Sequence, residues 1–280
     1  MSAQLLYDQV CQRTSQLTTR AYSTSFSLGI RCLAKEFRDP IYAIYGFVRF
    51  ADEIVDTFHH QDKATLLQRF SEDTWRALDD KISLNPILHS FQRTVNAYAI
   101  DRALIQQFLT SMEMDLDNKQ YDQAGYEHYI LGSAEVVGLM CLKVFCSGNE
   151  AEYQRLKPDA MKLGAAFQKI NFLRDLHADY NTLGRCYFPG LNLEQFDEST
   201  KHAIEADIAE DFRQGYRGIR QLPRGARLGV YVAYRYYLAL FHRIRQLPPS
   251  AVMQSRIRVR NRSKLAILGF SYVKHQLNLI

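Results

Sequence analysis

Apolar residues recur at three- and four-residue spacing along almost the whole chain, the interval at which one face of a helix turns inward. With 14 Gly and 7 Pro there is little of the turn chemistry that a β-protein needs, so the pattern predicts an all-α fold. Helix starts are marked by Asp39-Pro40, Asn85-Pro86 and Lys157-Pro158, because proline's fixed φ and missing N–H suit a first turn. Asp39 and Asn85 would cap that turn with a side-chain oxygen. The predicted helices run over 4–19, 39–58, 62–80, 85–99, 101–118, 124–147, 158–183, 197–221, 225–246 and 262–278, with Gly184 ending the long one. The stretch from Arg185 to Asn192 carries Pro and Gly and is the clearest internal loop; Gln246 to Val252 is the next. Neither reads as a flexible linker, and no repeat is apparent, so 1–280 is expected to form a single helical domain.

Two polar stripes break the apolar pattern. Ile44, Val48, Ala51 and Val55 form an inward-facing series, and Tyr45, Arg49, Asp52 and Asp56 repeat its spacing one residue later. Further on, Gln168, Asn171, Asp175 and Asp179 share a stripe flanked by Phe167, Ile170, Leu173 and Leu176. Carboxylates four residues apart repel by a few tenths of a kcal/mol even in water, and burial raises that cost sharply unless a cation neutralises them. One isolated Asp-x-x-x-Asp is most simply a pair shown to solvent. Two such pairs, each on an apolar helix and each preceded by polar groups on the same face, argue for a bound cation. Oxygen donors without a Cys or His cluster suit a hard ion such as magnesium.

Composition narrows the function classes. Of 280 residues 47% are hydrophobic and 23% charged, enough to bury a core and far from a disordered composition. Thirty-five Lys and Arg against 30 Asp and Glu give +5, a mild excess read as spread along the chain, which suits anionic substrates or lipid surfaces and argues against a nucleic-acid protein. The five cysteines, Cys11, Cys32, Cys141, Cys146 and Cys186, are widely spaced without a Cys-x-x-Cys pair, so a reducing, cytoplasmic compartment is the default. The N-terminus lacks the pattern of an export signal, and no run of about 18 apolar residues is free of charge. A soluble or peripheral protein is expected. The eight His, His59 and His60 among them, show no metal-ligand spacing and are read as mainly surface residues.

At these residues the sequence resembles the squalene and phytoene synthase family, head-to-head condensing enzymes of the isoprenoid synthase fold. The likeness is carried by Ser23, Ser25 and Phe26, by the run Arg49 to Asp56, by Gly132 to Met140, and by Gln168 to Tyr180 followed by Arg185 to Pro189. The resemblance implies a helical bundle around a central apolar cavity. It assigns Asp52, Asp56, Asp175 and Asp179 to a magnesium cluster, manganese being an alternative ion, and Tyr129 to a place beside the reacting carbons. Ser25, Phe26, Arg49, Gln168, Asn171, Arg174, Arg185, Tyr187, Tyr237 and Arg256 would bind the substrate diphosphates and their chains. Three residues depart from the family pattern: Glu135 stands where glycine is common, placing an acid near the channel, and His177 and Ala178 replace polar and acidic residues before Asp179.

The implied activity is condensation of two geranylgeranyl diphosphates to phytoene through a cyclopropyl diphosphate, in carotenoid synthesis, with no NADPH required. The nearest alternative is a squalene or dehydrosqualene synthase using farnesyl diphosphate; an alternative of another class is a non-catalytic assembly factor. An apolar product implies contact with the inner membrane face and hand-over to a carotenoid desaturase. Asp115, with Asp117, is read as an ordinary helix-terminal residue. The basic run Arg256 to Arg262 would serve equally as a lipid headgroup contact or a solvated helix start.

Overall fold

The computed structural model describes the chain except residues 1, 118–120, 179–184, 192–195, 255 and 260, and side chains 117, 178 and 261. The helices are α1 (Ala3–Tyr22), α2 (Thr24–Arg31), α3 (Lys35–Asp56), α4 (Lys63–Asp80), α5 (Pro86–Tyr98), α6 (Arg102–Asp117) and α7 (Gln123–Ile130). They continue as α8 (Val136–Cys146), α9 (Glu150–Ala178), α10 (Glu198–Gln221), α11 (Arg224–Arg245), α12 (Pro249–Val252) and α13 (Asn261–Gln276). Among the described residues there is no sheet, and the all-α prediction holds.

Local chemistry sets many of the starts. Asn85 Oδ1 accepts from the N–H of Ile87 at 3.0 Å ahead of Pro86, and Asp62, Asp122 and Asp197 cap α4, α7 and α10 in the same way; each such cap is worth about 1 kcal/mol. Two predicted starts are displaced. Pro40 lies inside α3, which begins at Lys35, and Asp39 accepts from Gln16 at 2.7 Å instead of capping. Pro158 likewise lies inside α9, which begins at Glu150. A proline removes one backbone bond, and these helices keep their direction because they remain packed along their length, α3 on α1 and α5, α9 on α8 and α10. The predicted end at Gly184 lies outside the described residues. The short α2 and α12 have too few turns to show a periodic signal.

The predicted helix over 124–147 is interrupted. Leu131–Glu135 forms a π-helical turn between α7 and α8, seated between α6 and α9. Close approach demands glycine there: a Cβ on Gly132 would lie 2.6 Å from the Gln107 carbonyl oxygen, and one on Gly164 2.7 Å from that of Ala134. Gln123–Cys146 is long and apolar enough by composition to cross a membrane, but most of it is buried inside the bundle.

Two apolar clusters form the interior. One is centred on Phe47, whose ring stacks on Phe91 at 3.9 Å, between α3, α5 and α6. The other gathers Phe172, Tyr187, Phe212 and Phe241 from α9, α10, α11 and the loop after α9. Between them lies a cavity of about 670 Å³, walled by α2, α3, the π-turn, α8, α9 and α11. Replacing Gly132 by Ala is expected to destabilise the protein by about 1–3 kcal/mol in thermal unfolding through overpacking against α6. Gly269→Ala, with nothing within 4 Å of the added carbon, is expected to be neutral or stabilising.

Candidate active site

The two predicted stripes face each other across the cavity. Along α3 the lining passes from Ile41 and Ile44 to Arg49, Asp52 and Asp56; along α9 it passes from Leu156 and Leu163 to Gln168, Asn171 and Asp175. Both helices therefore bring a polar C-terminal end to the same part of a cavity whose lining along their earlier turns is apolar apart from Asp159, which pairs with Arg217 at 2.5 Å. Every described side chain that the sequence singled out for the site lines this cavity: Ser25, Phe26, Arg49, Asp52, Asp56, Tyr129, Gln168, Asn171, Arg174, Asp175, Arg185, Tyr187, Tyr237 and Arg256. Asp179 lies outside the described residues.

Asp52 sits deep among protein atoms with a third of its side chain open to the cavity. Burial pushes its carboxyl up to about 7, and repulsion from Asp56 adds to this, while Arg49 pulls the other way. The Arg49 guanidinium lies 3.7 Å from Asp52, pairs with Glu53 and rests over the Tyr22 ring at 4.4 Å; its Nε is buried without a protein partner. Asp56 accepts from Arg185 at 3.0 Å. On the opposite wall Asp175 is gripped by Arg174 and by Arg256, the latter at 2.8 Å. Tyr237 donates to Asn171 Oδ1 at 3.2 Å and stacks on Phe167 at 4.1 Å, and Asn171 donates to Gln168 at 3.3 Å.

A third carboxylate completes the arrangement and corrects the sequence reading. Asp115 is buried at the end of α6; it accepts from Tyr129 at 2.7 Å and from Tyr187 at 3.3 Å, and Arg185 donates to its backbone carbonyl at 2.6 Å. Burial pushes its carboxyl up to about 6, with Arg185 and the Tyr129 hydroxyl limiting the rise. It is thus a hub between Arg185 and two tyrosines rather than an ordinary helix-terminal residue. The signal was present in the sequence: Ile105, Phe108, Met112 and Asp115 continue one buried stripe at helical spacing. Tyr45, already on the first polar stripe, and Tyr236 also line the cavity.

Two further readings change. Glu135 does not line the cavity; it lies near Lys162, Asp211 and Lys169, and burial pushes its carboxyl up to about 6. His59 and His60 are exposed as expected, but His89 is buried, with Nε2 2.9 Å from Asp8, tying α5 to α1. Among the described residues no group of three or more His, Cys, Asp or Glu could hold a metal ion. Asp52 and Asp56 are oxygen donors whose mutual repulsion a hard cation would relieve.

A family model described as squalene/phytoene synthase matches residues 19–263. The chain is 26% identical over 270 residues to a 15-cis-phytoene synthase of Paracoccus sp. (strain N81106 / MBIC 01143), covering 88% of this chain and 86% of that one. It is 27% identical to a 4,4'-diapophytoene synthase of Staphylococcus haemolyticus (strain JCSC1435), covering 68% of this chain and 66% of the relative. A crystal structure of a dehydrosqualene synthase in complex with ligand shares the fold, with TM-score 0.81 and 20% identity over 96% of this chain and 98% of that one.

The raised carboxyl of Asp52 has a consequence for stability. The folded state holds a proton there that the unfolded chain releases near pH 3.8, so stability is lost as pH rises from about 4 to about 7. Asp52→Asn is expected to raise stability in the cation-free protein at pH 8 by about 1–2 kcal/mol, reduced from the full shift by the side chain's exposure to the cavity, and to change little near pH 4. Thermal unfolding with a chelator at the two pH values checks this.

Proposed function

The chain belongs to the squalene/phytoene synthase family, and on that premise we propose that it condenses two allylic prenyl diphosphates head to head, releasing diphosphate. The observation that carries the proposal is the convergence of both aspartate stripes, with four arginines, on the polar end of one apolar cavity. An enzyme for this chemistry must bind two polyanions and keep their hydrocarbon chains dry; this cavity offers both environments in a single space.

Asp52 and Asp56 would hold magnesium on one wall and Asp175 on the other; Asp179, which the resemblance adds to this set, lies outside the described residues. The donor set fits: oxygen ligands alone, and a carboxyl at position 52 whose charge the protein leaves poorly compensated. When bound, magnesium neutralises diphosphate and makes it a better leaving group. Arg49, Arg174, Arg185 and Arg256 bind diphosphate oxygens through planar N–H forks; Arg185 is held at the site by Asp56, Arg174 and Arg256 by Asp175, and Arg49 by Asp52 and Glu53. Loss of diphosphate leaves an allylic cation that water would capture. The apolar walls exclude water, and the rings of Phe26, Tyr45, Phe167 and Tyr237 offer negative faces to positive charge. Asp115 fixes the Tyr129 hydroxyl by accepting its proton in a hydrogen bond, which sets that oxygen's direction inside the cavity wall.

For chain length, farnesyl diphosphate is the first reading. Relatives named 4,4'-diapophytoene synthase and 15-cis-phytoene synthase match at 27% and 26% identity, and the first of these supports the shorter substrate. Geranylgeranyl diphosphate is the second, supported by the wider sequence coverage of the Paracoccus phytoene synthase. A non-catalytic assembly role would give no reason to keep carboxylates repelling one another inside an apolar bundle.

The purified protein incubated with each diphosphate and magnesium, with and without NADPH, is expected to release diphosphate and yield a thirty-carbon hydrocarbon or its cyclopropyl diphosphate precursor from farnesyl diphosphate. A forty-carbon product formed without NADPH would transfer the assignment to phytoene synthesis, and no diphosphate release from either substrate would refute the enzyme reading. Asp56→Asn and Asp175→Asn are expected to lower kcat/KM by on the order of 10²–10³-fold, and a chelator to abolish turnover until magnesium is restored.

A further inference from the structure

The charge of this chain is segregated, contrary to the even spread inferred from the total. After Asp211 there is no Asp or Glu, whereas residues 212–280 contain 14 Lys and Arg; the preceding 211 residues hold 21 Lys and Arg against 30 Asp and Glu. Several of the late cations form ion pairs with carboxylates of the earlier part, Arg217 with Asp159, Arg245 with Glu205 and Arg256 with Asp175. Arg220, Arg224, Arg227, Arg235, Arg243, Arg258, Arg262, Lys264 and Lys274 form no ion pair among the described residues. Six of them stand on or beside α13: Arg262, Lys264 and Lys274 on it, Arg258 just before it, and Arg224 and Arg227 near His275, whose protonation burial disfavours and their charges disfavour further.

The same helix carries an unpartnered apolar face. α13 packs on α11, with Ser271 buried, yet Leu265 is 64% exposed and Phe270, Tyr272 and Val273 are more than half exposed. At about 100° per residue these four, with exposed Ala266 and Gly269, occupy an arc of about 160°, with Arg262 in the middle of the same arc in the first turn and Gln276 in the last. Lys274 lies 5.3 Å from the Phe270 ring, its stem along the aromatic and its charge beyond it. The helix also adjoins the cavity wall: Lys264 donates to Thr24 at 3.2 Å and sits over Tyr236, a lining residue.

We infer that α13 is an in-plane docking helix for an anionic lipid bilayer, which sets this wall of the cavity against the membrane surface. An apolar arc with Lys274 along one border and Arg262 at its first turn, neither of them ion-paired among the described residues, matches an acyl boundary beneath anionic headgroups, and at 16 residues the helix is too short to span a bilayer. A second copy of this chain would have to bring the same cations against themselves at any symmetric interface, which charge repulsion opposes. The orientation would let an apolar product leave directly into lipid; that consequence alone rests on the proposed condensation.

Lipid binding tests the docking without any turnover. Co-sedimentation of the full chain with phosphatidylglycerol vesicles is expected to exceed that with phosphatidylcholine vesicles by about tenfold or more at low salt and to fall at high salt. Phe270→Ser with Val273→Ser, and separately Arg258→Glu with Arg262→Glu, are expected to lower binding about tenfold each while circular dichroism and Tm stay unchanged. No vesicle binding by the unaltered protein, or equal binding to both lipids, overturns the inference. So does a wild-type dimer in light scattering that the Phe270→Ser, Val273→Ser variant dissociates, because the face is then covered by a second copy.

Discussion

Clustered carboxylates inside an apolar bundle are the constraint on which the site depends. Asp52, Asp56 and Asp115 crowd one wall, and burial with mutual repulsion pushes the carboxyls of Asp52 and Asp115 well above the usual range. The helix geometry adds to the cost, because Asp52 and Asp56 occupy the last turns of α3, where the backbone presents its negative end and the last turn carries no basic residue, Arg49 one turn earlier compensating only in part. Such an arrangement persists only because positive charge is delivered from elsewhere. Arg185, from the loop after α9, reaches both Asp56 and the backbone of Asp115, joining the two carboxylate elements through one guanidinium.

The surrounding fold follows from that requirement. α3 and α9 must run so that their carboxylate ends meet while their earlier, apolar turns enclose the cavity. The π-turn at Leu131–Glu135 makes room for this, and it can be seated only because Gly132 and Gly164 let backbone approach backbone on both sides. It also turns Glu135 away from the cavity toward Lys162, so an acid at a position where it would harm an apolar channel is placed beside a cation. On the aromatic side, Tyr187 stacked on Phe172 at 4.2 Å carries the loop that delivers Arg185. Packing and electrostatics therefore act on the same few residues.

The sequence by itself determined the helical class, most helix positions and the two aspartate stripes, because each rests on spacing within one element and needs no knowledge of what lies opposite. It also contained the charge segregation, which a net count conceals by summing an acidic part with a wholly basic end. Tertiary structure alone decided the rest. Pro40 and Pro158 lie within helices because packing along α3 and α9 outweighs the local signal to start there. Asp115 became a hub only when α6 was placed against Tyr129, Tyr187 and Arg185, residues 14 to 72 positions away in sequence. The exposed face of α13 has a composition that would equally suit a core helix; only the docking of its other face on α11 leaves it open. Periodicity states which residues share a face, and burial depends on what the rest of the chain brings against that face.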